Sequence, residues 1–163
     1  MTLYKLPIEK SRHDYYSTQI NMVPELCRLI KDFQNNISDV IEIEDEPHVT
    51  VLYGIKNLED KDNIKQTAMS GKLGKINKFR QEDKDVLIVE IDSEDLKAKN
   101  KEIRDNFDVN VTYSNYIPHL TLAYVKKNSN DNLIGSDYFV GYEFKNLPIY
   151  FCGKLEKHYL LKE

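Results

Sequence analysis

The strongest constraint on this chain is a phrase written twice, Pro47-His48-Val49-Thr50-Val51 and, further along, Pro118-His119-Leu120-Thr121-Leu122. With 4 histidines in 163 residues, two His-x-Thr copies would arise by chance about one time in a hundred. The proline before each copy and the alternating apolar residues make coincidence rarer still. Tyr53 and Tyr124 extend the match, each at the same distance from its histidine. Such a repeat implies two related lobes within one domain.

Along a strand, side chains alternate between faces, so His48 and Thr50 point one way while Val49 and Val51 point the other. The same parity separates His119 and Thr121 from Leu120 and Leu122. Each copy therefore buries an aliphatic face and presents an imidazole beside a hydroxyl. Pro47 and Pro118 have no N–H for a ladder bond, which places each copy at a strand start or on an edge. On strict alternation Tyr53 and Tyr124 fall on the aliphatic side and read as packing residues.

Two such strands facing one another gather two imidazoles and two hydroxyls around one small volume. Histidine titrates closest to neutrality, so one copy can accept a proton while the other donates one. This division of labour suits phosphodiester cleavage. One histidine deprotonates water or a ribose 2′-hydroxyl, the other protonates the departing oxygen, and Thr50 and Thr121 hold the non-bridging oxygens.

Composition narrows the ligand. The chain carries a formal net charge of −4, which disfavours a protein that grips long nucleic acid by neutralising phosphates. A small phosphate ligand or short nucleotide fits better. The local exception, Lys72, Lys75, Lys78 and Arg80, reads as a solvated strand face. Residues 1–163, 40% hydrophobic, suit a single domain with its own core. No apolar run approaches a membrane span, and Met1 to Lys10 lacks a signal-peptide core, so a soluble cytoplasmic monomer is expected. Cys27 and Cys152 lack any Cys-x-x-Cys context and read as reduced, packed thiols.

The order of elements predicts an α+β fold with mostly antiparallel pairing. Leu3 to Ile8 reads as a first strand, followed by a loop carrying Tyr15 and Tyr16. Pro24 opens a helix whose Leu26, Leu29, Ile30, Phe33 and Ile37 form one apolar stripe. Val40 to Ile43 and His48 to Ile55 read as strands, Asp60 to Ser70 as a short polar helix, and Lys72 to Arg80 and Val86 to Ile91 as further strands. Ser93 caps a second long helix with Leu96, Ile103 and Phe107 inward. Strands resume from Tyr116 to Val125, and Tyr138 to Phe144 with Pro148 to Leu161 read as a closing hairpin or pair of strands.

Tyr15, Tyr16 and Phe79 are the candidate base-stacking residues, the last because it sits among lysines. His13 and His158 lack a following threonine and read as non-catalytic. Gly71-Lys72-Leu73-Gly74 matches a GxxG loop, but without the flanking helices that match carries little. There is no nucleophile elbow, P-loop or His-Glu-x-x-His, so acyl transfer, NTP hydrolysis and zinc proteolysis lack support.

The paired His-x-Thr phrases resemble those of the 2H phosphoesterase superfamily. The resemblance implies a two-lobed fold with pseudo-twofold halves, antiparallel sheets facing a central cleft and helices outside. It also implies catalysis without metal or other cofactor, with His48, Thr50, His119 and Thr121 as the catalytic tetrad. Bacterial 2′,5′ RNA ligases usually carry arginine after the second motif's Thr-Leu-Ala, whereas Thr121-Leu122-Ala123 is followed here by Tyr124. The phrase His48-Val49-Thr50-Val51-Leu52-Tyr53-Gly54 is more similar to phage anti-CBASS phosphodiesterases. That likeness implies cyclic di- or trinucleotide defence signals as substrates. RNA 2′,3′-cyclic phosphodiesterase or ligase-like activity, or sequestration of a nucleotide without turnover, are the alternatives.

Overall fold

The computed structural model describes residues 15–112, 115–153 and 158–163. Nine strands join one sheet: β1 (Tyr16–Asn21), β2 (Val40–Ile43), β3 (His48–Ile55), β4 (Met69–Arg80), β5 (Asp85–Asp92), β6 (His119–Val125), β7 (Glu143–Leu147), β8 (Tyr150–Cys152) and β9 (His158–Leu160). The strand order is β7-β4-β5-β6-β3-β1-β8-β9, with β2 also paired to β6. Every pairing between these strands is antiparallel. The fold is α+β as expected, but the described strands form one continuous sheet where separate sheets were expected.

Two helices line the buried face. In α1 (Pro24–Gln34), Pro24 supplies a helical φ at a position that needs no donor, while Glu25 and Lys31 complement the dipole at its two ends. In α2 (Glu94–Asn106), the Ser93 hydroxyl accepts from the Leu96 N–H at 3.1 Å, the capping geometry that its sequence suggests. Leu26, Ile30 and Phe33 of α1 and Leu96 and Ile103 of α2 meet Ile20, Val49, Val51, Leu120 and Leu122 from the sheet in one core. Burying such aliphatic side chains contributes about 1.5–3 kcal/mol each, which is what holds the helices on the sheet.

Several local expectations are corrected. Leu3 to Ile8 and His13 lie outside the described residues. Tyr16 opens β1 instead of lying in a loop. The polar segment after Asn57 makes only a short 3-10 turn, Leu58–Asp62, because it has no apolar stripe to bury. Tyr138 to Tyr142 turns back on itself, with Val140 N–H bonded to the Asp137 carbonyl. Of the two forms expected for the tail, separate strands are found and not one hairpin, since β7 adds to β4 while β8 lies between β1 and β9.

The basic run divides. Lys72 and Lys75 are exposed, but the Lys78 side chain is only 1% exposed and bonds Asp85 at 2.7 Å and Asp131 at 2.6 Å. Arg80 lies 3.4 Å from the same two carboxylates. A cation on the buried side of a strand needs such partners to stay charged. The GxxG match is also structural. A Cβ at Gly71 would come within 2.7 Å of the Phe144 ring and 2.8 Å of the Ser93 Cβ, so glycine there allows β4 to pack closely.

Candidate active site

The two motif strands are neighbours at the middle of the sheet. Val49 pairs with Leu120, and antiparallel running then sets His48 across from Thr121 and His119 across from Thr50. Val49, Val51, Leu120 and Leu122 are all 0% exposed, whereas His48, Thr50, His119 and Thr121 are half-buried on the opposite face. The four side chains thus form a patch in which each imidazole faces the other copy's hydroxyl. Both prolines stand immediately before their strands, and their carbonyls accept from Met22 N–H just after β1 and Ile91 N–H of β5, each at 3.1 Å.

The imidazoles are held alike. His48 Nδ1 lies 2.8 Å from the Glu46 carbonyl, and His119 Nδ1 lies 2.8 Å from the Ile117 carbonyl. A carbonyl oxygen only accepts, so Nδ1 carries the hydrogen in both rings. When a ring is neutral, its Nε2 is then a lone-pair acceptor; when charged, Nε2 is a donor. Both rings are preset for proton transfer through Nε2.

Their surroundings differ. Burial pushes the His119 imidazole below its ordinary pKa, the neighbouring His48 pushes the same way, and the Ile117 carbonyl opposes both. The Phe79 ring packs edge-on against His119. Glu44 is raised chiefly by burial, an effect that nearby His48 opposes. An acidic group thus accompanies His48, and an aromatic wall accompanies His119. Tyr116, whose phenol burial pushes upward, donates to the Thr50 carbonyl at 2.7 Å and steadies the first motif from behind.

The face expected for Tyr53 and Tyr124 is corrected by the strand register, while the packing expected of Tyr124 is met on the other side of the sheet, where it lies buried with Val86, Ile88 and Phe79. In β3, Leu52 pairs with Thr18 and Thr50 with Gln19, leaving Val51 unpaired. In β6, Ala123 pairs with Leu87 and Thr121 with Ile88, leaving Leu122 unpaired. Each copy therefore has a bulge directly after its threonine, and a bulge inverts the alternation beyond it. Val51 and Leu52, like Leu122 and Ala123, are consecutive members of the core. Tyr53 and Tyr124 consequently turn to the histidine face, where Tyr53 is half-buried and Tyr124 is buried.

A buried helix amide pins each bulge. Asn100 of α2 donates from Nδ2 to the Val51 carbonyl at 2.7 Å, and Gln34 of α1 donates from Nε2 to the Leu122 carbonyl at 2.9 Å. The Leu122 carbonyl also accepts from the Glu44 N–H at 3.1 Å, so Gln34 supplies a second donor there, while Asn100 supplies one to the Val51 carbonyl at its bulge.

Of the expected stacking residues, Tyr15 meets Tyr53 edge-on with centroids 5.9 Å apart, and Phe79 joins Val86, Ile88 and Tyr124 in a small apolar cluster beside the tetrad. Tyr16 is drawn away, packing its ring 5.4 Å from Phe151 against the main core. His158 is exposed on β9. Sequence reading missed Asn21, paired with His48, and Glu90, paired with His119. Asn21 Oδ1 accepts from Gln19 at 2.6 Å and Glu90 Oε2 from Asn77 at 2.9 Å. Only the register reveals these residues, since no motif marks them. Among the described residues no group of three or more His, Cys, Asp or Glu side chains gathers as metal ligands, and no helix is long and apolar enough to cross a membrane.

The model of the anti-CBASS protein Acb1 family matches residues 15–139, a span that contains both motifs. The chain belongs to the Acb1 anti-CBASS family. Membership gives it a role in counteracting CBASS signalling. No curated protein matches the chain in sequence. Among solved structures it is similar to the protein TT0787 of Thermus thermophilus, with a TM-score of 0.64 at 10% identity, covering 91% of this chain and 98% of that one. At that identity the likeness speaks to the fold alone, and the Acb1 match carries the functional argument.

Proposed function

We propose that this Acb1-family chain is a metal-independent phosphodiesterase of the two-histidine type, opening 3′,5′ linkages in cyclic di- and trinucleotide signals. His119, kept neutral by its burial, accepts a proton at Nε2 from the attacking hydroxyl, either water or a ribose 2′-hydroxyl. As the nucleophile bonds to phosphorus, the leaving oxygen departs and takes a proton from Nε2 of charged His48. One proton is gained and one given, so a second transfer through solvent restores the starting state. Thr50 and Thr121 donate to the non-bridging oxygens as negative charge builds there.

The observation that carries this reading is the matched pair of Nδ1 to carbonyl bonds. A module that merely holds a nucleotide has no use for two imidazoles fixed in the same tautomer on adjacent strands.

The test is a panel of cyclic dinucleotides, cyclic trinucleotides, 2′,3′-cyclic nucleotides and 2′,5′-linked oligomers, with products identified by mass spectrometry in the presence of EDTA. Cleavage of the 3′,5′-cyclic compounds is expected, with about a 10²–10⁴-fold loss for His48→Ala or His119→Ala. Undiminished turnover by the double variant would reject the mechanism, and cleavage confined to RNA ends or 2′,5′ bonds would reject the substrate class.

A further inference from the structure

The two motifs are alike, but the turns that lead into them are not. The chain reads Glu44-Asp45-Glu46-Pro47 ahead of His48 and Asn115-Tyr116-Ile117-Pro118 ahead of His119. One approach carries three carboxylates and the other none. Both turns hold their ring in the same way, since the Glu46 and Ile117 carbonyls each lie 2.8 Å from an Nδ1 atom. What separates them is charge.

Glu44 is built into its turn. Its N–H donates to the Leu122 carbonyl at 3.1 Å and its carbonyl accepts from Gln34 Nε2 at 3.0 Å, which fixes the backbone beside β6. The half-buried side chain folds back on the loop, where Oε2 accepts from the Glu46 N–H at 3.3 Å. Carboxylate and imidazole thus flank one residue, the acid on the Glu46 N–H and the ring on the Glu46 carbonyl. Among the charges acting on Glu44, that of His48 favours the carboxylate while Glu42 and Asp45 oppose it. The attraction is mutual, so the carboxylate favours a charged ring in return. His119 has Glu90 across from it on β5, but Glu90 Oε2 is taken by Asn77 Nδ2 at 2.9 Å, and the charge that acts on His119 is that of His48.

We propose that Glu44 is a positioning residue that fixes the direction of proton transfer, keeping the proton on His48 as the acid while Asn115, at the matching place, leaves His119 to act as the base. This deepens the phosphodiesterase reading and rests on it. Burial disfavours charge on one ring, and Glu44 favours it on the other.

Glu44→Gln keeps an acceptor for the Glu46 N–H and removes only the charge. With the 3′,5′-cyclic compound of the panel that is cleaved best, the alkaline limb of kcat/KM, where the acid loses its proton, is expected to move toward acid by about 0.2 to 0.7 pH units. The acid limb should stay in place. Asn115 is exposed, so Asn115→Glu is accommodated, and by giving the second histidine the same neighbour it is expected to move the acid limb toward alkali. Either variant leaving its limb in place, or Glu44→Gln moving the acid limb instead, overturns the inference. A merely structural role lowers kcat/KM at every pH and moves neither limb. The His48 imidazole shifts are followed by NMR across the same pH range in the His119→Ala chain, with and without Glu44→Gln, and the midpoint is expected to move toward acid when the charge is removed. An unmoved midpoint overturns the inference whatever the turnover, whereas a moving midpoint in a parent chain that cleaves nothing rejects the phosphodiesterase reading and leaves the coupling of Glu44 to His48 standing.

Discussion

The Phe79 ring stands edge-on to the His119 imidazole, with centroids 4.8 Å apart and ring planes at 82°. This contact belongs to the desolvated pocket that lowers the His119 pKa, and a general base with a lowered pKa stays neutral further into acid. The acid limb of the pH profile for kcat/KM should therefore fall below the ordinary imidazole value of about 6.5. Phe79→Ala admits water and should move that limb upward. Imidazole chemical shifts followed by NMR across the same pH range give the pKa directly, and an unmoved His119 titration would separate the ring from the effect.

The same imidazole links folding to pH. With its pKa lower folded than unfolded, His119 binds fewer protons in the native state, so stability is intact above the unfolded value of about 6.5 and is lost as pH falls below it. Glu44, raised by burial, works with the opposite sign, since it favours the native state on the acid side. Comparing urea unfolding of the parent and His119→Gln between about pH 7 and 5, the span around that value, isolates the histidine. The variant should lose less stability on acidification.

Lys78 and Asp85 form a buried pair linking the β4–β5 hairpin to the segment after β6. Burial pushes the Lys78 ammonium down, but its bonds to Asp131 and Asp85 outweigh this and raise it. In Asp85 burial acts upward and is outweighed by Lys78 and the Asn128 N–H, so the carboxyl is lowered. Lys78→Met leaves a carboxylate with 0% side-chain exposure short of its closest cation and should destabilise the protein by about 3–5 kcal/mol. Lys78→Met with Asp85→Leu should recover much of that loss in thermal unfolding.

Asn100→Leu removes the amide that bonds the Val51 carbonyl and should lower stability by about 1–3 kcal/mol, the range for an unsatisfied buried acceptor. The bulge is the element released, so fluorescence of a Tyr53→Trp probe should change in the Asn100→Leu background. The same probe should be indifferent to Gln34→Leu, which frees the other bulge.

The tetrad was legible because strand alternation needs only local sequence: His48 and Thr50, like His119 and Thr121, do share a face. Tyr53 and Tyr124 were not, because a bulge is a property of register. Nothing within His48 to Tyr53 announces that Thr18 will pair with Leu52 and Gln19 with Thr50. Lys78 misled for a similar reason, since its partner Asp131 lies far along the chain and the residue looks like its exposed neighbours Lys72 and Lys75. Ser93 and Pro24 marked their helices correctly because capping chemistry is local, whereas the segment from Asp60 to Ser70 had charge but no stripe to give it a partner.

The Val49 to Leu120 pairing at the centre of the sheet has a bearing on how the protein can vary. The separation of the two imidazoles follows from the distance between hydrogen-bonded strands, about 4.8 Å, together with the diagonal offset that the register sets between them, and owes little to the shapes of particular core side chains. Substitutions in the helices or among the aliphatic residues beneath should change how much of the chain is folded without retuning the distance between the two imidazoles. Sequences can therefore drift widely outside the two short phrases and keep the same arrangement of His48, Thr50, His119 and Thr121.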